Sequence, residues 1–293
     1  MTEAALNSRS DPAQPQSNAP IPPVVRPVAG SAALPARAIG WTSARAVLAL
    51  MLREMGSRYG RTPGGYVWAV LEPLGYVVIL SLAFSLLFRS PSLGTSFVLF
   101  YATGYLPFIQ YQNVSHEVAR SLRFSRALMS YPVVSWIDAV LARFILNALT
   151  TLFVAVLLMT LILSFVDTRG LLDFGPILLA FALASLGGLG VGLVNCALIG
   201  LVPVWEQLWN IISRPLFLGS AILYTFEDLP TMVSDFLWFN PLVHVSGLMR
   251  RGVYSTYDAS YVSLIYTFGV AMILVAFGLL LMRRFSRKIL NDM

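Results

Sequence analysis

Apolar stretches of about 20 residues, the length that carries an α-helix across a ~30 Å hydrocarbon core, recur through this sequence between short arginine-bearing loops. Such a chain can only build a helical bundle, because lipid offers no hydrogen bonds to the open edge of a sheet. Hydrophobic residues make up 57% of the chain and charged residues 12%, about half the charge of a soluble domain. The expected fold is an all-α membrane protein with six transmembrane helices. They lie near Trp68–Phe88, Ser96–Val114, Asp138–Val166, Gly175–Val202, Glu206–Tyr224 and Ser260–Met282.

The organisation falls into three parts. Residues 1–40 are rich in Pro, Ala, Ser and Gln, and a segment with so little to bury is expected to be a disordered tail. It carries no apolar core of a signal peptide, so no cleavage is expected. Residues 41–66 form the second part. There Val47, Leu48, Met51, Leu52, Met55 and Tyr59 recur at helical spacing, with Arg45, Arg53, Arg58 and Arg61 between them. That pattern predicts an amphipathic helix lying on the membrane surface, ended by Pro63-Gly64-Gly65. Residues 67–293 are the transmembrane domain. Between its fifth and sixth spans, Phe236-Leu237-Trp238-Phe239-Asn240-Pro241-Leu242-Val243 is apolar, proline-broken and too short to cross, which predicts a re-entrant or interfacial helical pair.

Arginines set the orientation. Arg45, Arg53, Arg58 and Arg61 precede span one, Arg120, Arg123 and Arg126 join spans two and three, and Arg283, Arg284, Arg287 and Lys288 close the chain. The positive-inside rule makes these segments, and both termini, cytoplasmic. Net charge is +6, yet Lys288 is the sole lysine and no glycine loop precedes it, so a P-loop for ATP is excluded. With one cysteine, Cys196, and two histidines, His116 and His244, a disulfide, a Cys-x-x-Cys redox site and a His/Cys zinc site are excluded within one chain. No catalytic residue, metal or cofactor is expected in the chain itself, and no nucleic-acid partner.

Several residues stand out against this background. Ala184, Gly188, Gly192, Cys196 and Gly200 place small residues on one face of span four and predict close helix packing. Arg214, before Pro215 inside span five, is costly in lipid and must face protein or water. It is either a pore cation for an anionic substrate or the partner of an acid such as Glu206. Glu72, before Pro73, poses the same question at span one. Ser115 to Tyr131, with His116, Glu117, Arg120, Arg123, Phe124 and Arg126, reads as a short amphipathic helix for docking a soluble partner, or as a solvated basic loop. Aromatics near the span ends fit interfacial belts, while a subset lining a pore could stack on sugar rings.

Leu52-Arg53-Glu54-Met55-Gly56-Ser57-Arg58-Tyr59-Gly60, followed by Gly65-Tyr66-Val67-Trp68-Ala69-Val70-Leu71-Glu72-Pro73, resembles the opening motif of the permease subunits of capsule-polysaccharide ABC exporters, the KpsM-like branch of the polysaccharide-exporting type-2 ABC permeases. Tyr131-Pro132-Val133, Ile137-Asp138, Ala142-Arg143, Arg214-Pro215 and Asn240-Pro241-Leu242-Val243-His244-Val245 extend the likeness, which runs from about Val47 to the C-terminus. The resemblance implies a homodimer in the bacterial inner membrane. Each copy would bind a cytoplasmic ATPase subunit, which holds the ATP and Mg and works as a dimer. Together they would export a lipid-linked capsular polysaccharide toward a periplasmic adaptor and an outer-membrane channel. By position it makes Arg53, Arg58, Tyr59 and Arg61 contacts for the lipid head, Glu117, Arg120, Arg123, Phe124 and Arg126 the ATPase coupling helix, and Glu72, Arg214, Tyr224, Phe226, Trp238 and His244 pore or gate residues. O-antigen or teichoic-acid export by the same architecture is the alternative. A proton-driven secondary transporter and a membrane transferase are rivals, but neither buried mid-span acids with inverted repeats nor an acidic or histidine cluster is evident.

Overall fold

The computed structural model describes residues 41–59, 65–129, 134–166 and 171–292. The expected tail at residues 1–40, the Pro63-Gly64 break and Arg61 lie outside the described residues, as do the side chains of Arg58 and Tyr59.

The elements run in order as helices α1 (Trp41–Tyr59), α2 (Gly65–Leu87), α3 (Phe97–Ala119), α4 (Ser121–Met129), α5 (Trp136–Phe165), α6 (Phe174–Leu201) and α7 (Trp205–Leu218). A 3-10 turn at Phe226–Asp228 follows, then α8 (Thr231–Leu237), α9 (Pro241–Val253) and α10 (Leu264–Asp292). Local chemistry marks the starts. The Ser96 side chain accepts from the Leu99 amide ahead of α3. Ser135 and Asp138 form a reciprocal capping box at α5, and Asn240 accepts from the Leu242 amide with Pro241 at the first turn of α9. Each satisfies amide groups that a helix start leaves without intrahelical partners.

Among the described residues, four helices are long and apolar enough to cross a membrane: Val67–Leu87 within α2, α5, α6, and Leu264–Leu290 within α10. Helices α2 and α10 leave most of their apolar surface outward, with Ile79, Leu82 and Leu86 exposed on one and Ile265, Ile273 and Leu280 on the other. In a bilayer such surface faces lipid or another chain. Helix α3 sits at the centre with sixteen buried residues. Gln110, one of its polar groups, donates to the Ala148 carbonyl at 3.1 Å and to the Ser185 hydroxyl at 2.8 Å.

Helix α6 packs between α3 and α10 through its small residues. A Cβ on Gly188 would lie 2.7 Å from the Tyr111 carbonyl oxygen and one on Gly192 2.7 Å from Val118 Cβ, while a Cβ on Gly190 would meet Leu274 of α10. The glycine positions thus allow backbones to approach within side-chain distance. Cys196 is buried in the same seam.

The expected fifth span departs from its sequence reading. It was expected to run to Tyr224, but α7 ends at Leu218, and 14 residues at 1.5 Å each reach only about 21 Å, short of the ~30 Å core. The chain then turns, with Ala221 at φ 53°, and continues into α8 and α9. Two short helices, α8 and α9, thus flank Trp238–Asn240 within the apolar, proline-broken stretch from Phe236 to Val243.

Candidate functional site

Three groupings join the residues that the sequence singled out. The first lies where α1, α3, α4 and α5 meet. Arg143, on α5, is buried. Its Nη1 donates to Glu117 Oε2 of α3 at 2.6 Å, and its Nε lies 3.3 Å from Glu54 Oε2 of α1. The guanidinium also stacks 4.0 Å from the ring centre of Phe124 on α4, and Arg53 of α1 sits 5.7 Å from the same ring. Asn147 donates to the Arg143 carbonyl at 2.8 Å. At the start of α1, the Ser43 hydroxyl donates to Asp138, the acid of the α5 capping box. A buried charge holds its place only when paired and hydrogen-bonded. Arg143 therefore fixes the surface helix α1 and the short helix α4 to the bundle at one point.

Helix α1 turns Glu54 inward, whereas Leu48, Leu52 and Met55 remain exposed. These apolar residues of the amphipathic pattern are thus left uncovered by the bundle, and the face against protein carries the charge. On α4, Ser121, Leu122 and Ser125 are buried, while Arg123, Phe124 and Arg126 face out. Glu117 ends up inside, against Arg143. Arg120 and Arg123 both reach Glu206 at the start of α7, at 2.7 and 3.2 Å. Glu206 therefore pairs with the arginines of the α3–α4 corner rather than with Arg214.

The second grouping is a polar cleft among α2, α3, α5 and α7. Glu72 and Arg214 line one chamber of about 320 Å³ together with Tyr76, Tyr105 and Gln112. Glu72, Tyr105 and Ile109 also line a chamber of about 120 Å³ reaching Asn113, Asn147, Thr150 and Thr151. Gln112, Phe108 and Ser213 connect the first chamber to a pocket of about 60 Å³ containing His116, Ser115 and Asn210. Amide and hydroxyl groups beside aromatic rings suit a ligand that is hydroxylated and has apolar faces, as a sugar is.

The third grouping is the break after α7. Asn240 donates to the Gly219 carbonyl at 2.7 Å and Ser246 to the Ser220 carbonyl at 2.8 Å. Arg250 donates to the carbonyls of Ile222 at 3.1 Å and Tyr224 at 2.7 Å, and lies fully buried 4.4 Å from the Phe100 ring centre. Helix α9 thus supplies hydrogen bonds to four carbonyls that leave the helical ladder. Tyr224 adds a bond from its hydroxyl to the Leu218 carbonyl at 2.7 Å. Beside the break stands an aromatic cluster. Phe226 stacks on Tyr261 at 4.1 Å, and Trp238 lies 4.9 Å from Tyr266 and 5.2 Å from His244. His244 Nε2 bonds the Trp238 carbonyl at 2.8 Å while Nδ1 accepts from the Ser263 amide at 3.3 Å, a pattern that requires the neutral ring protonated on Nε2. Outside the helices, Tyr257 donates to the Glu227 carboxylate at 2.9 Å, and burial pushes its phenol above the ordinary tyrosine range.

Glu54, Arg143 and Arg250 were not among the candidates, and Glu206 was considered only as a partner of Arg214. Arg143 carries the same signal that exposed Arg214, a cation within an apolar helix. Arg250 lies between the expected fifth and sixth spans, where a cation needs no buried partner, so nothing local in the sequence pointed to its burial. The Glu206 pairs join residues 86 and 83 positions apart, and no local pattern encodes them.

Residues 45–254 match the family model described as ABC-2 type transporter. The chain is 30% identical over 246 residues to the polysialic acid transport protein KpsM of Escherichia coli, covering 84% of this chain and 95% of the relative. It is 24% identical over 245 residues to the capsule polysaccharide export inner-membrane protein CtrC of Neisseria meningitidis serogroup B (84% and 92% covered) and 25% identical over 251 residues to BexB of Haemophilus influenzae, which bears the same description (84% and 92%).

Proposed function

The chain belongs to the ABC-2 type transporter family, and from that premise we propose that it is the permease subunit of an ATP-driven exporter of lipid-linked capsular polysaccharide in the bacterial inner membrane. The similarity to KpsM, CtrC and BexB over nearly their whole length supports the cargo class and the membrane. The chain works as a homodimer with both termini in the cytoplasm. A separate ATPase dimer supplies ATP hydrolysis with Mg, and a periplasmic adaptor and outer-membrane channel take the polymer onward. Each copy contributes six membrane-inserted segments: the four apolar helices, the buried α3, and α7 as a half-crossing whose return through α8 and α9 is re-entrant. In support, the broken backbone after Leu218 is enclosed in protein, as non-helical backbone at membrane depth must be.

The observation that carries this reading is the double tether of α4. Its outward residues Arg123, Phe124 and Arg126 offer a basic-aromatic surface to the ATPase. Phe124 also stacks on Arg143 of α5, and Arg123 pairs with Glu206 of α7. A push on α4 is thus delivered to two helices that line the polar cleft. Glu72, Tyr105 and Arg214 stand along the polymer path, and Arg53 with Arg58, Tyr59 and Arg61 meets the anionic lipid head as the substrate first arrives at the interface helix. The test is to tag the chain, extract it in mild detergent and identify a copurifying Walker-containing subunit. Arg126→Glu is expected to weaken that association and to reduce surface polysaccharide. Copurification of no ATPase from the wild type would sink the exporter reading.

A further inference from the structure

Helix α7 separates two spaces, one carrying polar groups among aromatic rings and one almost without them. On one side is the pocket with His116, Ser115, Gln112, Asn210 and Ser213. On the other, facing α10, is a cavity of about 240 Å³ with an almost wholly apolar lining, including Leu183, Val191, Ile212, Val270 and Leu274. Tyr111, Trp209 and Leu216 line both, so the two spaces meet across one helix that has no buried residue.

We propose that the apolar cavity is the site for the hydrocarbon chain of the lipid-linked glycan, with its polar end in the adjoining pocket. This rests on the exporter reading and locates the lipid anchor of its cargo. Three features argue for that occupant. The cavity exceeds the ~150 Å³ of an engineered apolar cavity that stays dry and holds benzene, and its lining offers water too few partners to enter. The cavity lies between α7, which exposes Ile211 and Ile212, and α10, which exposes Met272 and Ile273, and the apolar matter a bilayer offers to such surface is a lipid chain. A bulk lipid needs nothing more, but the shared wall leads into a pocket of amide, hydroxyl and imidazole groups, the chemistry that binds a hydroxylated head. The directions also agree. His116 stands near the C-terminal end of α3, on the side assigned to the cytoplasm, and the apolar cavity lies deeper, as a lipid of the inner leaflet would have its head and chain.

The test is photolabelling of the purified full-length complex in nanodiscs with two diazirine probes, a single-chain alkyl glycoside and a phosphatidylcholine labelled at the same chain depth. The glycoside is expected to label α7 and α10 at the cavity wall, and excess unlabelled glycoside, not phosphatidylcholine, to compete. Filling the cavity with Val270→Trp should lower labelling roughly tenfold or more, as changes of pocket volume do, and Val270→Ala, which keeps the fold, should leave it equal or higher. Gln112→Ala with Ser213→Ala should remove the preference for the glycoside. Equal labelling by both probes, or labelling unaffected by Val270→Trp, would show an ordinary lipid crevice and overturn the proposal. ATPase copurification is read on the same sample, so loss of the cavity site and loss of the exporter reading remain separate results.

Discussion

Arg143 lies 2.6 Å from Glu117 and 4.0 Å from the ring centre of Phe124, so one buried guanidinium binds the end of α3 to the helix that follows it. With Glu54 from α1 at 3.3 Å, it draws on three elements outside its own helix. A cation at that depth is retained only while its partners remain.

Removing the cation should therefore cost more than removing a surface pair. Arg143→Ala takes the cation away from the buried Glu54 and the half-buried Glu117, and loss of one partner from a buried pair costs about 3–5 kcal/mol. Thermal melting in detergent should fall accordingly, with α1 the first segment to gain protease sensitivity. Arg143→Met combined with Glu54→Gln and Glu117→Gln should recover part of the loss. A triple variant no better than Arg143→Ala alone would show that the charges are not what holds the joint.

The corner formed by Arg120, Arg123 and Glu206 gives a different expectation, because these side chains are partly exposed. Each pair is worth only about 0.2–1 kcal/mol in stability, so Glu206→Arg should barely move the melting temperature. It should nevertheless uncouple transport from ATP hydrolysis by placing three cations together at the hinge between α4 and α7. Adding Arg120→Glu, which re-forms the closer pair and leaves the outward Arg123 in place, should restore export. Surface polysaccharide and ATPase rate, measured together, decide it: uncoupling that the charge swap cannot rescue would rule the tether out.

Packing along α6 yields a third prediction. A Cβ on Gly192 would lie 2.7 Å from Val118 Cβ and 2.8 Å from the Ser115 carbonyl oxygen, so Gly192→Val must push α3 away from α6. Overpacking of this kind costs about 1–3 kcal/mol or more, and yield of folded protein should drop. Gly56, where an added Cβ meets nothing within 4 Å, is the control: Gly56→Ala should raise helix stability slightly.

The features that were legible in the sequence share a physical basis. Long apolar runs announce membrane helices by length alone, and α2, α5, α6 and α10 follow from that. The small residues of α6 were readable because a spacing of four marks one helix face. The break at Pro241 between α8 and α9 was readable because proline's fixed φ and missing amide act within a single turn. The end of α7 was not readable. Residues 219–224 are as apolar as the helix before them, and the chain breaks there because α9 supplies distant donors. Likewise the apolar pattern of α1 does not say what holds its other face to the bundle, and there Glu54 meets a cation 89 positions away in the sequence, Arg143.

That dependence on distant donors makes Arg250 the most informative residue at the break. It is fully buried, it bonds the carbonyls of Ile222 and Tyr224, and between them and α7 stands Ala221 at φ 53°, a conformation that costs an L-residue about 1–2 kcal/mol. The strained turn is held because its carbonyls are satisfied. Arg250→Met keeps the volume and removes both bonds, and each buried carbonyl left unpaired costs about 1–3 kcal/mol. Arg250→Lys should rescue little, since a single ammonium cannot reproduce a planar fork aimed at two oxygens. Ala221→Gly in the Arg250→Met background should recover part of the stability by relieving the positive φ. Melting of the three variants, with cysteine accessibility at a probe placed on Ser220 as a second readout, distinguishes a held turn from a tolerant one. If Arg250→Met melts like the wild type and Ser220 stays protected, the break does not depend on the guanidinium.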